Sequence, residues 1–516
     1  LRADDAAVKV ATVEGVTEYR LANGARVLLY PDAARPSITV NMTVLVGSRH
    51  EGYGESGMAH LLEHMVFKGT PTFANVPKAI QDHGATFNGT TNSDRTNYFE
   101  TLPASDENLE FAIHLESDRL VNSYVKREDL VSEFTVVRNE FERGENSPQG
   151  VLMQRVAATA YEWHNYGKST IGNRSDIERV PIDNLQAFYK KYYQPDNCVL
   201  IIAGKFEEKK ALELVQKYLG SIPKPTRQLP KTYTEEPPQD GERLVTLRRV
   251  GTVGSVAVAY HMPSASHDDW APLSILGAVV GVQPEGRLYK ALVESKLASS
   301  ASARSENSHD PGLFTAGASP EPGKLEQVRD VLLNVLEKMG DTPFTQAEVD
   351  RAKLRSKRGD EARRESASSM AQSLSSASSL GDWRLMFIQR DRIAAVTPED
   401  VNRVAKTYFQ RPNRTVGVYI PVEKPERLPI GPSPDIAALV KEYKGQAVAA
   451  ATGEQFDATP ENLTKRTKFQ ELGGIKVGLL PKKSAGEKVA LTLTLHYGNE
   501  AVSYTHLRAH ETKANL

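Results

Sequence analysis

The sequence predicts an α+β protein made of two homologous α/β-sandwich domains, followed by the first strands of a third copy. Three observations carry this: short segments recur, strand-sized apolar runs alternate with long amphipathic stretches, and proline-rich linkers fall between the repeats. The segment Val180–Leu185, leading to Tyr192 and Pro195-Asp196-Asn197, is echoed by Val396–Val401, leading to Tyr408 and Pro412-Asn413. Each time a helix runs into a Pro/Asn turn and then an apolar strand, Cys198–Ala203 or Thr415–Ile420. A second echo joins Asn23–Pro31 to Gly473–Pro481: a glycine turn, a short apolar strand and a proline, followed by a strand at Ile38–Val46 or Val489–Tyr497.

Taken in order, residues 1–225 form the first domain, and five prolines between Ile222 and Pro238 mark its end. Residues 226–421 form the second. Residues 422–466 are a linker, introduced by five prolines between Pro421 and Pro434, and residues 467–501 begin a third copy that is expected to be cut off. Amphipathic stretches such as Asn108–Asn122 supply the helices. The serine-rich run Ser366–Ser379 carries Met370 and Leu374 and is followed by Leu380, so it is expected to be a helix packed closely through small residues, not a flexible linker. Cys198, in the run Cys198–Ile202, is expected in the core. The tail 502–516 has neither helix nor strand period and resembles translated adapter DNA, so it is treated as non-native, and its His506 and His510 carry no weight as a metal pair. The chain opens on Leu1, so any signal peptide is expected upstream.

Among the 516 residues, 64 basic and 65 acidic side chains nearly cancel, leaving no basic field for nucleic acid and no polybasic anchor for an anionic membrane. No apolar run approaches the ~20 residues of a membrane-spanning helix. One cysteine cannot make an internal disulfide.

The chemistry concentrates in Gly57–Phe67, GMAHLLEHMVF, which has no proline or glycine after its first residue and Ser56 as an expected cap, and so is predicted helical. At about 100° per residue His60, Glu63 and His64 share one face. Two imidazoles one turn apart can hold one divalent ion, and the carboxylate between them can reach a water on it, which suits zinc with an open fourth position. With 12 histidines in the chain, an accidental HxxEH has a probability on the order of one in a hundred. Further along, Glu133 and Glu140 lie two turns apart on one helical stripe, with Val136 and Val137 expected on other faces. They offer a third ligand, or else, with Glu142 and Glu145 following, a solvated acidic face.

HLLEH followed by Glu140, with Glu133 before it, resembles the inverted zinc-peptidase family that includes pitrilysin, insulin-degrading enzyme and the mitochondrial processing peptidase. Gly84–Thr91, with Asp94, Thr96 and Tyr98, is similar to that family's strand beside the metal. Phe188–Gly204 is similar to its domain-closing helix and strand. The resemblance spans residues 15 to 500 and implies α/β-sandwich domains of the pitrilysin and processing-peptidase type, in the four-domain bacterial form cut after its first half.

It further implies one zinc ion per chain held by His60, His64 and Glu140, with Glu63 as general base and Glu133 orienting a ligand. The activity implied is zinc-dependent endoproteolysis of peptides or unfolded polypeptides. Substrate would lie along the strand Thr86–Thr91, with Asn88, Thr86 and Thr91 as contacts, although the Asn88 amide could equally brace a turn. The second copy has no HxxEH, and the places where the family often supplies an arginine and a tyrosine hold Val293 and Ser300. This copy is therefore expected to be non-catalytic, with the missing groups in a C-terminal half or partner subunit and with little activity in the fragment alone. A binding or structural subunit of the same fold is the alternative. Many bacterial relatives of this size are periplasmic or exported, which sets the expected address; a cytoplasmic one stays open.

Overall fold

The computed structural model describes residues 7–446, 453–484 and 488–495. In the first domain the chain runs through β1 (Val8–Val13), β2 (Val16–Arg20), β3 (Arg26–Pro31), β4 (Ser37–Val44), α1 (Met58–Val66), α2 (Val76–Asp82), β5 (Thr86–Thr91) and β6 (Thr96–Pro103). It continues through α3 (Asp106–Asn122), α4 (Arg127–Glu145), α5 (Pro148–Ala160), α6 (Arg174–Arg179), α7 (Ile182–Tyr192), β7 (Cys198–Gly204) and α8 (Glu208–Tyr218). The second domain holds β8 (Arg243–Val250), β9 (Ser255–Met262), α9 (Trp270–Gly281), β10 (Ala298–Ser305), β11 (Gly312–Pro320) and α10 (Leu325–Glu337). Then follow α11 (Gln346–Arg364), α12 (Ala367–Ser379), α13 (Leu385–Ala395), α14 (Pro398–Tyr408) and β12 (Arg414–Val422). The mixed α/β architecture with two sheet-and-helix domains is as the sequence predicts.

Seven strands make the first sheet in the order β1-β2-β3-β7-β4-β6-β5, and five make the second in the order β10-β11-β9-β12-β8. β3 and β7 run parallel, as do β12 and β8, each joining the start of a domain to its closing strand. β5 lies at the edge of its sheet.

Burial explains the near-continuous apolar strands. On β7 the side chains of Leu200 and Ile202 enter the core of their own domain, while Val199, Ile201 and Ala203 face the other way. That second face is covered by α12 of the second domain, through Ala367, Met370, Ala371 and Leu374. The serine-rich helix is thus formed as expected, and its small side chains allow close approach: the Thr43 hydroxyl on β4 donates to Ser375 Oγ at 2.6 Å. The arrangement is reciprocal, because α5 of the first domain covers β8, β9 and β12 of the second sheet through Val151, Leu152 and Val156. A Cβ on Gly417 of β12 would lie 2.4 Å from Val156 and 2.9 Å from Leu152, so only glycine admits the helix at this depth. Cys198 is buried, and burial pushes its thiol up to about 12.

The described residues from Leu428 onward form a second unit. It contains α15 (Ile436–Val440), α16 (Pro460–Arg466) and an antiparallel hairpin, β13 (Lys468–Leu472) with β14 (Ile475–Leu479). The strand expected at Val489–Tyr497 is not formed in residues 488–495, the part that is described. Its counterpart β4 is hydrogen-bonded to β6 and β7, whereas the small third sheet among the described residues has two strands only. The tail 502–516 lies outside the described residues.

Candidate metal centre

Helix α1 turns Met58, Ala59, Leu61, Leu62, Met65 and Val66 into the core and leaves His60, Glu63 and His64 half-buried on its open side. Ser56 does not cap it: its hydroxyl accepts from the Asn173 amide. The cap position is Gly57, at φ 96°, where a Cβ would sit 2.7 Å from the Ile171 carbonyl oxygen. The buried Glu51 carboxylate instead accepts from the amides of Gly57 and Ala59, both at 2.9 Å. Burial lifts the Glu51 carboxyl to about 7 against those two donors.

Helix α4 crosses α1 and brings the two carboxylates to it. Glu140 Oε2 lies 3.6 Å from His60 Nε2 and 3.7 Å from His64 Nε2. Glu133 is buried and its Oε2 sits 2.9 Å from His64 Nδ1, while its other oxygen is paired with Lys68. Val136 is exposed, but Val137, expected off this side of α4, is fully buried. One turn separates it from Glu133, so a buried carboxylate carries the next turn inward with it.

Glu63 is fixed from the sheet. The Thr91 hydroxyl on β5 donates to Glu63 Oε2 at 2.5 Å, and a Cβ on Gly89 would come within 2.9 Å of Glu63 Oε1. Burial raises the Glu63 carboxyl above its ordinary value, against the Thr91 hydrogen bond. Burial also lowers His60 to about 4, keeping it neutral at pH 7. Burial opposes protonation of His64 too, but the facing carboxylates outweigh it and hold that imidazole above its usual value. Glu133 is held near 2 by the His64 hydrogen bond, against burial and with help from Lys68.

The donor set fits a divalent ion. One ligand atom from each of His60, His64 and Glu140 falls within 4.8 Å of the others. Ligands about 2.0–2.2 Å from one tetrahedral zinc stand about 3.4 Å apart, close to the observed 3.6 and 3.7 Å, which are too long for direct hydrogen bonds. Two nitrogens with one carboxylate oxygen match zinc's preference, and Glu133 on the far nitrogen of His64 fixes its tautomer.

Of the other residues singled out, Asn88 and Thr86 are exposed on the edge strand, and Asn88 Oδ1 accepts from the Gly89 amide at 3.0 Å. Thr91 turns its hydroxyl to Glu63. In the second domain Val293 lies on a π-helical turn, Tyr289–Glu294, and the Ser300 hydroxyl donates to Ser319 Oγ at 3.1 Å, so neither position carries a guanidinium or a phenol. Sequence reasoning missed Thr91 as the partner of Glu63, together with Lys68 and Glu51. The only signal was the conjunction of a serine/threonine-rich strand and a base following HLLEHMVF.

A helix bearing HxxEH, with a carboxylate from a second helix closing on both imidazoles, is a donor set of the zinc-protease type, able to hold a metal ion. The chain belongs to the insulinase family of peptidases, family M16. Residues 26–174 match the family model described as "Insulinase (Peptidase family M16)", and residues 179–355 match the one described as "Peptidase M16 inactive domain". The chain is 31% identical over 399 residues to the zinc protease PqqE of Helicobacter pylori, covering 76% of this chain and 89% of that protein. It is similar to the crystal structure of a protease from Helicobacter pylori, with a TM-score of 0.76 at 29% identity over 79% of this chain and 99% of that one. The first half of the periplasmic protease PqqL from Escherichia coli shares the fold, with a TM-score of 0.65 at 19% identity over 81% of this chain and 94% of that one.

Proposed function

We propose that the chain is a zinc-dependent endopeptidase acting on peptides or unfolded polypeptides, with one zinc ion held by His60, His64 and Glu140. The observation that carries it is the convergence of those three side chains beside a Glu63 carboxylate that Thr91 aims from an edge strand. Bound there, zinc would supply Lewis acidity that polarises a water and the scissile carbonyl. Glu63, its carboxyl raised by burial, takes the proton of the attacking water and delivers it to the leaving amine. Glu133, neutralised on one oxygen by Lys68, holds the His64 ring and its tautomer. Among the described residues β5 has no strand on its outer side, and this edge offers backbone groups to an extended peptide, with Asn88 and Thr86 beside it.

Within this reading residues 1–225 are the catalytic domain, 226–421 a non-catalytic wall, 422–466 a linker, 467–501 the start of a third copy and 502–516 a non-native tail. The inactive-domain match begins at residue 179, within the first domain, and its greater part, from 226 to 355, supports the role of the second. A periplasmic address and a C-terminal half or partner subunit that completes the site rest on the likeness to a protein that is, by its title, the first half of a periplasmic protease. A non-catalytic binding subunit is the second reading, favoured by Val293 and Ser300 standing where an arginine and a tyrosine would polarise the carbonyl.

The test is zinc content together with cleavage of a quenched fluorescent peptide, for the parent chain, Glu140→Ala and Glu63→Gln. One zinc per chain that is lost in Glu140→Ala, with cleavage lost in Glu63→Gln while zinc is kept, is the expected result. A folded parent chain without zinc overturns the ligand set. Zinc without cleavage in the parent favours the binding subunit.

A further inference from the structure

The turn between β5 and β6 forms one wall of a 410 Å³ cavity whose other walls come from α9, α11, α12 and α13 of the second domain. Its most buried cation is Arg95, only 7% exposed. Every hydrogen-bond partner of this guanidinium is neutral: Thr90 Oγ1 at 3.2 Å, Ser376 Oγ at 3.2 Å, and Asn97 Oδ1. Its Nε is buried with no acceptor, and among the described residues no carboxylate lies within 4.0 Å of it. The other charges on the wall are satisfied. Asp360 is engaged by Arg363 at 3.3 Å and Arg364 at 3.2 Å, and Arg390 bridges Glu14 at 2.6 Å and Asp391 at 2.6 Å. A buried charge is costly unless paired; Glu63 and Asp94 act on Arg95 only at a distance, and an open polar cavity stands where a directly bonded counter-charge would go.

We propose that this cavity binds a small oxyanion, a phosphoryl or carboxylate group, whose charge is met by Arg95 with hydroxyls and one amide of α12 around it. Ser373, Ser376 and Gln372 line that side. The guanidinium presents a planar fork suited to two oxygens of one such group. Burial draws Arg95 down to about 10, which leaves it positive at neutral pH. The cavity opens on the other face of the sheet from the metal centre, and Arg95 acts on Glu63 through charge alone, without a hydrogen bond. Successive side chains of a strand point to opposite faces, and Thr91 reaches Glu63 on one face of the sheet while its neighbour Thr90 accepts from Arg95 on the other. Anion binding here can be read without peptidase activity, so its failure and a failure of the metal site are distinguishable.

The test is calorimetric titration and thermal unfolding of the full chain with sodium pyrophosphate and, separately, citrate, each against chloride at equal ionic strength. Saturable one-to-one binding of at least one oxyanion with Kd below about 1 mM, and a raised Tm, is expected. The tighter of the two identifies a phosphoryl or a carboxylate ligand. Arg95→Gln weakens binding by about tenfold or more, while Arg392→Gln, a cation of α13 off the cavity wall, leaves it unchanged. Because Arg95 packs between the domains, Ser376→Asp provides a second variant: a carboxylate placed beside the guanidinium raises the Tm without added anion and abolishes binding. No saturable binding of either oxyanion beyond chloride, or equal affinity in Arg95→Gln and Ser376→Asp, overturns the proposal.

Discussion

Thr91 and Glu63, on the edge strand β5 and on helix α1, are joined by a hydrogen bond of 2.5 Å in which the hydroxyl donates to the carboxylate. The bond holds the carboxylate in one rotamer and favours its ionised form, so strand and helix share the task of presenting this carboxylate. Thr91→Val keeps the shape and removes the donor. It is expected to lower kcat by about 10- to 100-fold, the range for a hydrogen bond to a charged group, with zinc content unchanged. Thr91→Ser restores most of the rate, and steady-state kinetics beside metal analysis check both.

Glu133 would act on a zinc bound at this site through His64, so its loss is expected to appear in affinity before rate. Glu133→Gln keeps the volume but loses the charge, and is expected to weaken zinc binding about 10- to 100-fold. Lys68→Met, one contact further out, weakens it less. Competition with a chromophoric chelator gives both numbers without any turnover.

Gly417 sets the depth at which α5 sits on the second sheet, with Val156 and Leu152 too close to admit a side chain. Gly417→Val is expected to destabilise the chain by about 1–3 kcal/mol through overpacking, lowering the Tm. Partial recovery in Gly417→Val/Val156→Ala, read by thermal unfolding, identifies the contact responsible.

His50 is held near 3 by burial and by the neighbouring Arg49, while its Nδ1 accepts from the Gly47 amide at 3.1 Å. Its folded value lies below the unfolded value of about 6.5, so the unfolded chain takes up this proton first. The stability it contributes is therefore complete above about pH 6.5 and is lost as the pH falls toward 3, at a limiting slope of about 1.4 kcal/mol per pH unit. Urea midpoints at pH 7, 5 and 4 are expected to fall more steeply in the parent chain than in His50→Gln.

The histidines and acids of the centre were legible because helical spacing alone puts His60, Glu63 and His64 on one face, and Glu133 and Glu140 on one stripe. What spacing cannot carry is which neighbouring element meets that face. Thr91 reaches Glu63 through sheet pairing and Lys68 reaches Glu133 across two helices, and both depend on tertiary placement. The helix at Ser366–Ser379 was predictable from its apolar punctuation, but not the sheet it would cover. The cap at Ser56 failed because Gly57 takes a left-handed backbone and Glu51 supplies the acceptor instead. At Val489–Tyr497 apolar content suggested a strand, but strand formation needs a hydrogen-bonding neighbour as well as the right residues.

The crossing of α5 and α12 between the two sheets ties the fate of each domain to the other. A piece ending near residue 225 would leave Val16, Leu28, Val199 and Ile201 uncovered, and a piece starting there would leave Ala257, Ala259 and Leu313 in the same condition. Each half is therefore expected to fold poorly without the other. Expressed alone, each would behave as an aggregation-prone client of chaperones; expressed together on two plasmids, they would rescue one another, and a nick in the linker between them would leave the pair associated.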